Sequence, residues 1–264
     1  MLEADQAQGL RRLFGPPVLR VLPLCCDDDD GFAQFAGTLA ASAVAAGRRV
    51  VLLDGDRGRI APTLGLKARW DLLHVLSGEC DIDAAMLADP RGFAVLPAAR
   101  GLDALDDRAD AERMLAAFGA VGDGHDLVIL AAPAARLVRA LGAECEPTLV
   151  APVEPTAAQQ VYARIKSMRE KQGVAHVRVV WRTGAQRASQ AAGVHGRLAA
   201  ACRRFLRVEA CDGGAFADAH DAQGMGRIAG LALAADLPEF EAPRTRRGSD
   251  AETASARASR LALA

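Results

Sequence analysis

The segment Gly47-Arg48-Arg49-Val50-Val51-Leu52-Leu53-Asp54-Gly55-Asp56-Arg57-Gly58 sets an unbroken run of aliphatic residues between two arginines and an acid-glycine turn. A short apolar run bounded by turn residues suits a strand buried on both faces, because a strand with one wet face alternates apolar and polar positions. It follows an alanine-rich helical stretch over residues 32–46, which itself follows a short apolar run over 18–24. Outward from this unit the rhythm repeats. Strands are expected over 18–24, 50–54, 93–97, 127–131, 148–152 and 177–182, with 206–210 a weaker candidate. Helices are expected over 32–46, 72–76, 82–87, 102–118, 157–172 and 186–205. The alternation predicts an α/β fold: a doubly wound, mostly parallel sheet with helices on both faces. Right-handed crossovers leave few other topologies, and the strand ending at Asp54 is expected in the middle of the sheet, beside the one over 18–24.

The chain of 264 residues is 51% hydrophobic and 25% charged, enough apolar material for a core. Its 32 basic and 33 acidic residues give a net charge of −1, which excludes a dominant attraction to nucleic acid or to an anionic membrane. No apolar run reaches the roughly 18 residues of a membrane span, and Met1-Leu2-Glu3-Ala4-Asp5 places acids where a signal peptide is basic, so a cytoplasmic protein is expected. Six cysteines show no C-x-x-C pair and no zinc-like spacing with the five histidines, so no metal site is expected. Residues 1–17 are expected to form a separate unit, an amphipathic helix over 5–14 stopped by Gly15-Pro16-Pro17 and a linker. The α/β domain is expected over 18–238. Residues 239–264, rich in Arg, Ser and Ala from about Arg244, are expected to be a disordered tail with too weak an apolar face to hold a membrane.

In a doubly wound sheet the first β-to-α turn is where a phosphate sits, against backbone N–H groups and a helix N-terminus. Here it reads Leu24-Cys25-Cys26-Asp27-Asp28-Asp29-Asp30-Gly31-Phe32-Ala33. Four successive carboxylates oppose a phosphate, since like charges at about 4 Å repel by roughly 1 kcal/mol even in bulk water. The structural reading is that these acids cap the following helix and suit its dipole. A divalent-cation site is the alternative, weakened because consecutive side chains rarely converge.

The run over 47–58 is followed by Leu64-Gly65-Leu66, by Asp71-Leu72-Leu73-His74-Val75-Leu76-Ser77-Gly78-Glu79 and by Val95-Leu96-Pro97-Ala98-Ala99. Further on come Pro152-Val153-Glu154-Pro155-Thr156 and Tyr162-Ala163-Arg164-Ile165-Lys166. In this order and spacing the chain resembles the MinD/ParA (SIMIBI) ATPases, over about residues 5 to 235. Within that group it looks most like the FlhG (FleN) regulators of flagellar number, whose D-Q-A-x-x-L-R motif is matched by Asp5-Gln6-Ala7-Gln8-Gly9-Leu10-Arg11.

The resemblance implies an ATP and magnesium site, and the departures fall on it. Counted back without gaps from Gly47, the family's G-K-G-G-V-G-K-T loop lands on Cys26 to Ala33. Asp27 takes the signature-lysine position, Phe32 the phosphate-binding lysine, and Ala33 the magnesium-ligating threonine; Gly31 alone survives, with Asp28, Asp29 and Asp30 completing the loop. Ala131 stands where the family carries its Walker B aspartate, and Trp181-Arg182 near an adenine-reading asparagine. Asp54 and Asp56 are kept, and by resemblance Asp56 orients the attacking water; read structurally, the two acids cap a strand end into its turn. Four changes to one chemical task read as a pseudo-ATPase with no bound cofactor. The alternative is a working MinD/ParA-type ATPase that cycles between monomer and dimer.

In the N-terminal helix Gln6 lies four residues before Leu10 and seven before Leu13, on the face that carries the stripe of Leu10, Leu13 and Phe14. The resemblance implies that Asp5, Gln6, Ala7, Leu10, Arg11, Leu13 and Phe14 dock on the signal-recognition-type GTPase FlhF, with Gln6 completing its site. A flagellar switch protein or a flagellar transcriptional activator is a further implied partner, and recruitment to the flagellated pole would follow through such partners. A helix that folds back on its own domain is the structural alternative.

Overall fold

The computed structural model describes residues 18–26, 31–118, 124–154, 156–184, 188–218, 220–235 and 237–241. Its strands are β1 (Val18–Cys25), β2 (Val50–Asp54), β3 (Leu87–Ala88), β4 (Ala94–Pro97), β5 (Leu127–Ala132), β6 (Thr148–Pro152), β7 (His176–Arg182), β8 (Glu209–Phe216) and β9 (Glu239–Glu241). Its helices are α1 (Phe32–Ala45), α2 (Ile60–Thr63), α3 (Leu72–Leu76), α4 (Ile82–Ala85), α5 (Ala99–Ala104), α6 (Arg108–Phe118), α7 (Ala134–Leu141), α8 (Ala157–Gln172), α9 (Ala188–Ala201) and α10 (Ala222–Ala234).

One sheet runs β3-β4-β2-β5-β1-β6-β7-β8, with β9 beside β1. Every pairing is parallel except β3 with β4 and β1 with β9. This is the expected α/β class. One expectation needs correction: β2 is not beside β1, because β5 lies between them, pairing Leu130 with both Pro23 and Leu53. The crossover after β1 skips a place, and the wholly buried β5 fills it. As a result β1 is the point where the chain passes from one half of the sheet to the other, reaching β5 on one side and β6 on the other. Open α/β sheets form their ligand crevice at the carboxyl end of such a strand; here that end is Cys25-Cys26.

The two apolar clusters are the two faces of this sheet. Val21, Val51, Leu53, Val128 and Leu130 point to one face, under α3, α6, α7, α8 and α9. Leu22, Leu24, Val50, Leu52, Ile129 and Ala131 point to the other, under α1, α2 and α10. The two-residue period of the strands divides them, and burial on both sides explains why these strands carry no polar alternation.

Several elements differ from the sequence reading. The helix expected over 102–118 is two, α5 and α6, broken at Leu105, which is extended (φ −73, ψ 129). Asp107 restarts the chain by accepting the Asp110 N–H at 2.9 Å, and a Cβ on Gly101 would fall within 2.8 Å of Leu72, so α5 is held close against α3. The helix expected over 186–205 is α9 followed by a π-helical turn, Cys202–Leu206, closed by Arg207 at φ 54. That turn consumes Leu206 and moves the weak strand to Glu209–Phe216. Helices α2, α7 and α10 and strand β3 are additional, and the helix expected over 82–87 stops at Ala85 because Met86 is extended and Leu87 enters β3. Strand β9 carries order past residue 238, into what the composition marks as the tail. Among the described residues no helix is long and apolar enough to cross a membrane.

Candidate functional site

The carboxyl ends of β1, β2 and β5 lie side by side, Leu24 and Asp54 flanking Ala131. The chain ends β1 with Cys26, whose N–H donates to the Ala132 carbonyl at 3.1 Å, and whose own carbonyl accepts from the Arg164 guanidinium of α8 at 3.4 Å. Burial, together with the nearby carboxylates of Asp56 and Asp54, pushes the Cys26 thiol well up from its ordinary range, so it is no thiolate nucleophile.

Gly31 precedes α1 with no side-chain cap, and Phe32 is the first helical residue. Phe32 is 4% exposed. It heads the stripe Phe32, Ala36, Leu39, Ala40 and Ala43, spaced as one helix face and packed on the sheet beneath α10. Phe32, which the resemblance sets at the phosphate-binding lysine position, is therefore a core residue. Ala33 is buried beside it and has no hydroxyl for a metal.

Both acids at the carboxyl end of β2 are committed within the protein. Asp54, fully buried, accepts N–H bonds from Ile60 at 2.8 Å, Asp56 at 3.2 Å and Ala61 at 3.4 Å, and so caps α2. Burial raises its carboxyl above the ordinary value, while those three N–H donors act in the opposite sense. Asp56 receives the Arg59 guanidinium through Nε at 2.9 Å and through a second, shorter contact from its terminal nitrogen. The capping reading of these two acids describes their geometry; the water-orienting role implied for Asp56 meets a carboxylate already paired with Arg59.

On β5, Ala131, which the resemblance sets at the Walker B position, is buried and has no carboxylate. Its contribution is backbone: its carbonyl accepts the Gly55 N–H at 2.7 Å, and a Cβ on Gly55 would fall within 2.9 Å of Ala131, Ala132 and Leu102. Arg136 of α7 closes the same loop by donating to the Gly55 carbonyl at 2.7 Å and to Asp103 at 2.8 Å. The Arg136 contact holds the Asp103 carboxyl below the usual carboxylate range. At the end of β7 the indole of Trp181 is buried and its Nε1 donates to His195 Nδ1 at 3.4 Å, so the ring belongs to the core.

The described part of the implied nucleotide site is thus Cys26, Gly31, Phe32, Ala33, Asp54, Asp56 and Ala131. Asp27, Asp28, Asp29 and Asp30 lie outside the described residues, as do Asp5, Gln6, Ala7, Leu10, Arg11, Leu13 and Phe14. Sequence reasoning missed Arg59, Arg136 and Arg164. Arg59 stands three residues after Asp56, a spacing that brings side chains together on a turn, and Arg164 falls inside one of the quoted family segments. Arg136 had no signal, because α7 was not expected. Among the described residues no group of three or more His, Cys, Asp or Glu side chains is arranged to hold a metal. Among the described residues, those at the positions that the resemblance assigns to the lysine and the threonine, Phe32 and Ala33, are apolar and buried, and Asp54 and Asp56 are occupied by N–H groups and by Arg59, a set that does not fit magnesium-ATP.

This sheet order, with its switch point at β1, is the MinD/ParA-type P-loop α/β fold. It aligns with MinD of Aquifex aeolicus, solved in a MinC:MinD cell division complex, at a TM-score of 0.58 and 15% identity, over 87% of this chain and 99% of that one. In sequence the chain is FleN-like. It is 29% identical over 157 residues to the antiactivator FleN of Pseudomonas aeruginosa, covering 57% of this chain and 56% of FleN. It is 33% identical over 110 residues to the septum site-determining protein MinD of Synechocystis, covering 39% and 41%. The matches thus span about half the length of these relatives. No family model matches the chain.

Proposed function

We propose that this chain is a FlhG-like regulator of flagellar number or placement that has given up ATP turnover. In this reading it is a cytoplasmic pseudo-ATPase which binds and stimulates an FlhF-type GTPase through its N-terminal segment. The observation that carries the reading is Phe32, 4% exposed in the stripe of α1, where a phosphate-binding lysine would have to reach solvent. The pairing of Asp56 with Arg59 and the alanine at position 131 support it from the neighbouring strand ends. The similarity to FleN supports the flagellar assignment, and its description as an antiactivator makes a transcriptional activator a second partner of the same class.

With no chemistry of its own, the chain acts by completing another site. A carboxamide such as that of Gln6 both donates and accepts hydrogen bonds and adds no charge beside phosphates, so it can orient an attacking water in a partner GTPase. Leu10, Leu13 and Phe14 supply the apolar docking, with Arg11 beside them. Single-turnover GTP hydrolysis by FlhF at saturating regulator tests this. Wild type accelerates hydrolysis; Gln6→Ala binds as well and does not, because the carboxamide acts on the transition state. Leu10→Ala raises the dissociation constant roughly tenfold, as expected for a lost leucine contact. Equal saturated rates for wild type and Gln6→Ala would reduce the N-terminal segment to an anchor.

A further inference from the structure

The π-helical turn that ends α9 turns a phenylalanine into solvent. Leu198 and Cys202 are buried, and an α-helical continuation would bring Phe205, seven residues after Leu198, back to their face. The turn over Cys202–Leu206 instead bonds i to i+5: the Arg207 N–H donates to the Cys202 carbonyl, and the Val208 N–H follows to the same carbonyl at 3.3 Å. The wider turn delays the return by about one residue. Leu206 therefore packs on the core, and Phe205 stands 66% exposed, the most exposed large apolar side chain among the described residues. Arg207 closes the turn at φ 54, a conformation that residues with a side chain seldom adopt. Such π turns and left-handed residues recur where a surface is used.

The stretch Cys202-Arg203-Arg204-Phe205-Leu206-Arg207 carries three arginines and no acid. The Arg204 guanidinium carbon lies 5.1 Å from the centroid of the Phe205 ring. Arg203 is paired with Glu209, through Nε at 3.2 Å and a terminal nitrogen at 2.7 Å, whereas Arg204 and Arg207 are exposed, as is Arg197 on α9. On the neighbouring α8, Glu170 stands 3.8 Å from Lys166. The result is one apolar tip among cations. A net charge of −1 gives the whole chain no attraction to an anionic surface, but a local cluster acts within a Debye length, about 10 Å at 0.1 M salt. A single protruding ring gives an extended peptide little to lie along, and a second copy would set arginines against arginines. A fluid anionic surface meets neither obstacle. We infer that this turn is a weak, reversible contact site for anionic lipid: Phe205 enters the interfacial zone, and Arg204, Arg207 and Arg197 meet the lipid phosphates. The inference stands on the turn alone and is independent of the partner role of the N-terminal segment. One ring and three cations fall short of stable anchoring, so half-saturation belongs at about 1 mM lipid.

The test sediments the full-length chain with vesicles of equal parts phosphatidylglycerol and phosphatidylcholine, and with vesicles of phosphatidylcholine alone, at about 0.1 M salt. Wild type is expected on the anionic vesicles and not on the neutral ones. Phe205→Ser should weaken binding about tenfold, as for the loss of one large apolar contact, with an unchanged urea midpoint because the side chain is exposed. Arg204→Ala combined with Arg207→Ala should weaken it by a similar factor and remove most of its salt dependence. Phe205→Trp should keep binding and have its fluorescence quenched by brominated lipid, which reads insertion directly. Wild type that does not bind anionic vesicles would overturn the inference. Binding that survives both Phe205→Ser and the double arginine variant would place the contact elsewhere in the chain, with the same consequence. A dimer that Phe205→Ser abolishes, seen by sedimentation equilibrium without vesicle binding, would give the turn to a second copy. Polyglutamate bound by wild type and lost in the same variants, again without vesicle binding, would give it to an acidic protein; either result removes the lipid assignment.

Discussion

The ends of β2 and β5 are neighbours, and they depart from a MgATP site in opposite ways. Strand β2 leads into the acids Asp54 and Asp56, whereas β5 carries Ala131, one residue before its end, where the resemblance implies an acid. Yet the two ends serve one structure: Asp54 caps α2 through three N–H bonds, Asp56 holds Arg59, and the Ala131 carbonyl holds Gly55. An acid at a family position is therefore no evidence of activity by itself. What a carboxylate can do depends on the donors already spent on it, and here they come from the protein's own backbone and arginines.

The strongest way to break this comparison is to restore the missing charge. Phe32→Lys places an ammonium in the stripe of α1 where Phe32 is 4% exposed, and removing a buried phenylalanine alone costs about 3 to 5 kcal/mol. Thermal or urea unfolding should show at least that loss, without any gain of ATP turnover. A stable Phe32→Lys protein that hydrolyses ATP would mean that α1 can rotate this position into a working site.

Next in size is Asp54→Ala. It leaves the buried N–H groups of Asp56 and Ile60 without an acceptor, at roughly 1 to 3 kcal/mol, reduced because the carboxylate no longer has to be buried. Urea unfolding should place the loss near 2 kcal/mol. A neutral result would show that water takes over the cap and that Asp54 is available for other chemistry.

The smallest effect sharpens how the loop over β5 is closed. Arg136 depresses the Asp103 carboxyl in the folded state, so this contact stabilises the protein above the unfolded pKa of Asp103, near 4, and is lost as pH falls through the lower folded value. Asp103 is half exposed, so the contribution should stay below about 1 kcal/mol. Asp103→Asn should lower stability slightly at pH 7, and the gap to wild type should close as pH drops below 4. A gap that stays constant with pH would assign the effect to packing.

Much of the fold was legible because buried parallel strands write themselves as continuous apolar runs. Val50–Leu53 and Leu127–Leu130 are readable without any partner in view, and 157–172 is bounded by turn residues at both ends. What was not legible depended on contacts distant in sequence. The break at Leu105 is set by α5 docking on α3 through Gly101, and β9 exists because β6 leaves half of β1 uncovered. The position of β5 between β1 and β2 is likewise a matter of order in space, which periodicity does not encode. At the site, the sequence supplied which residues depart from a MgATP loop. It did not supply what they do instead: Phe32 reads as a lost lysine until its burial in the stripe is seen, and Asp56 reads as a catalytic acid until Arg59 is found against it.

Whether the carboxyl end of β1 handles MgATP is decided by calorimetric titration of MgATP into the full-length chain. No saturable heat at micromolar nucleotide, no release of phosphate above background and no change from monomer to dimer on addition are expected. A micromolar dissociation constant accompanied by turnover would contradict it and restore the chain to the working ATPases.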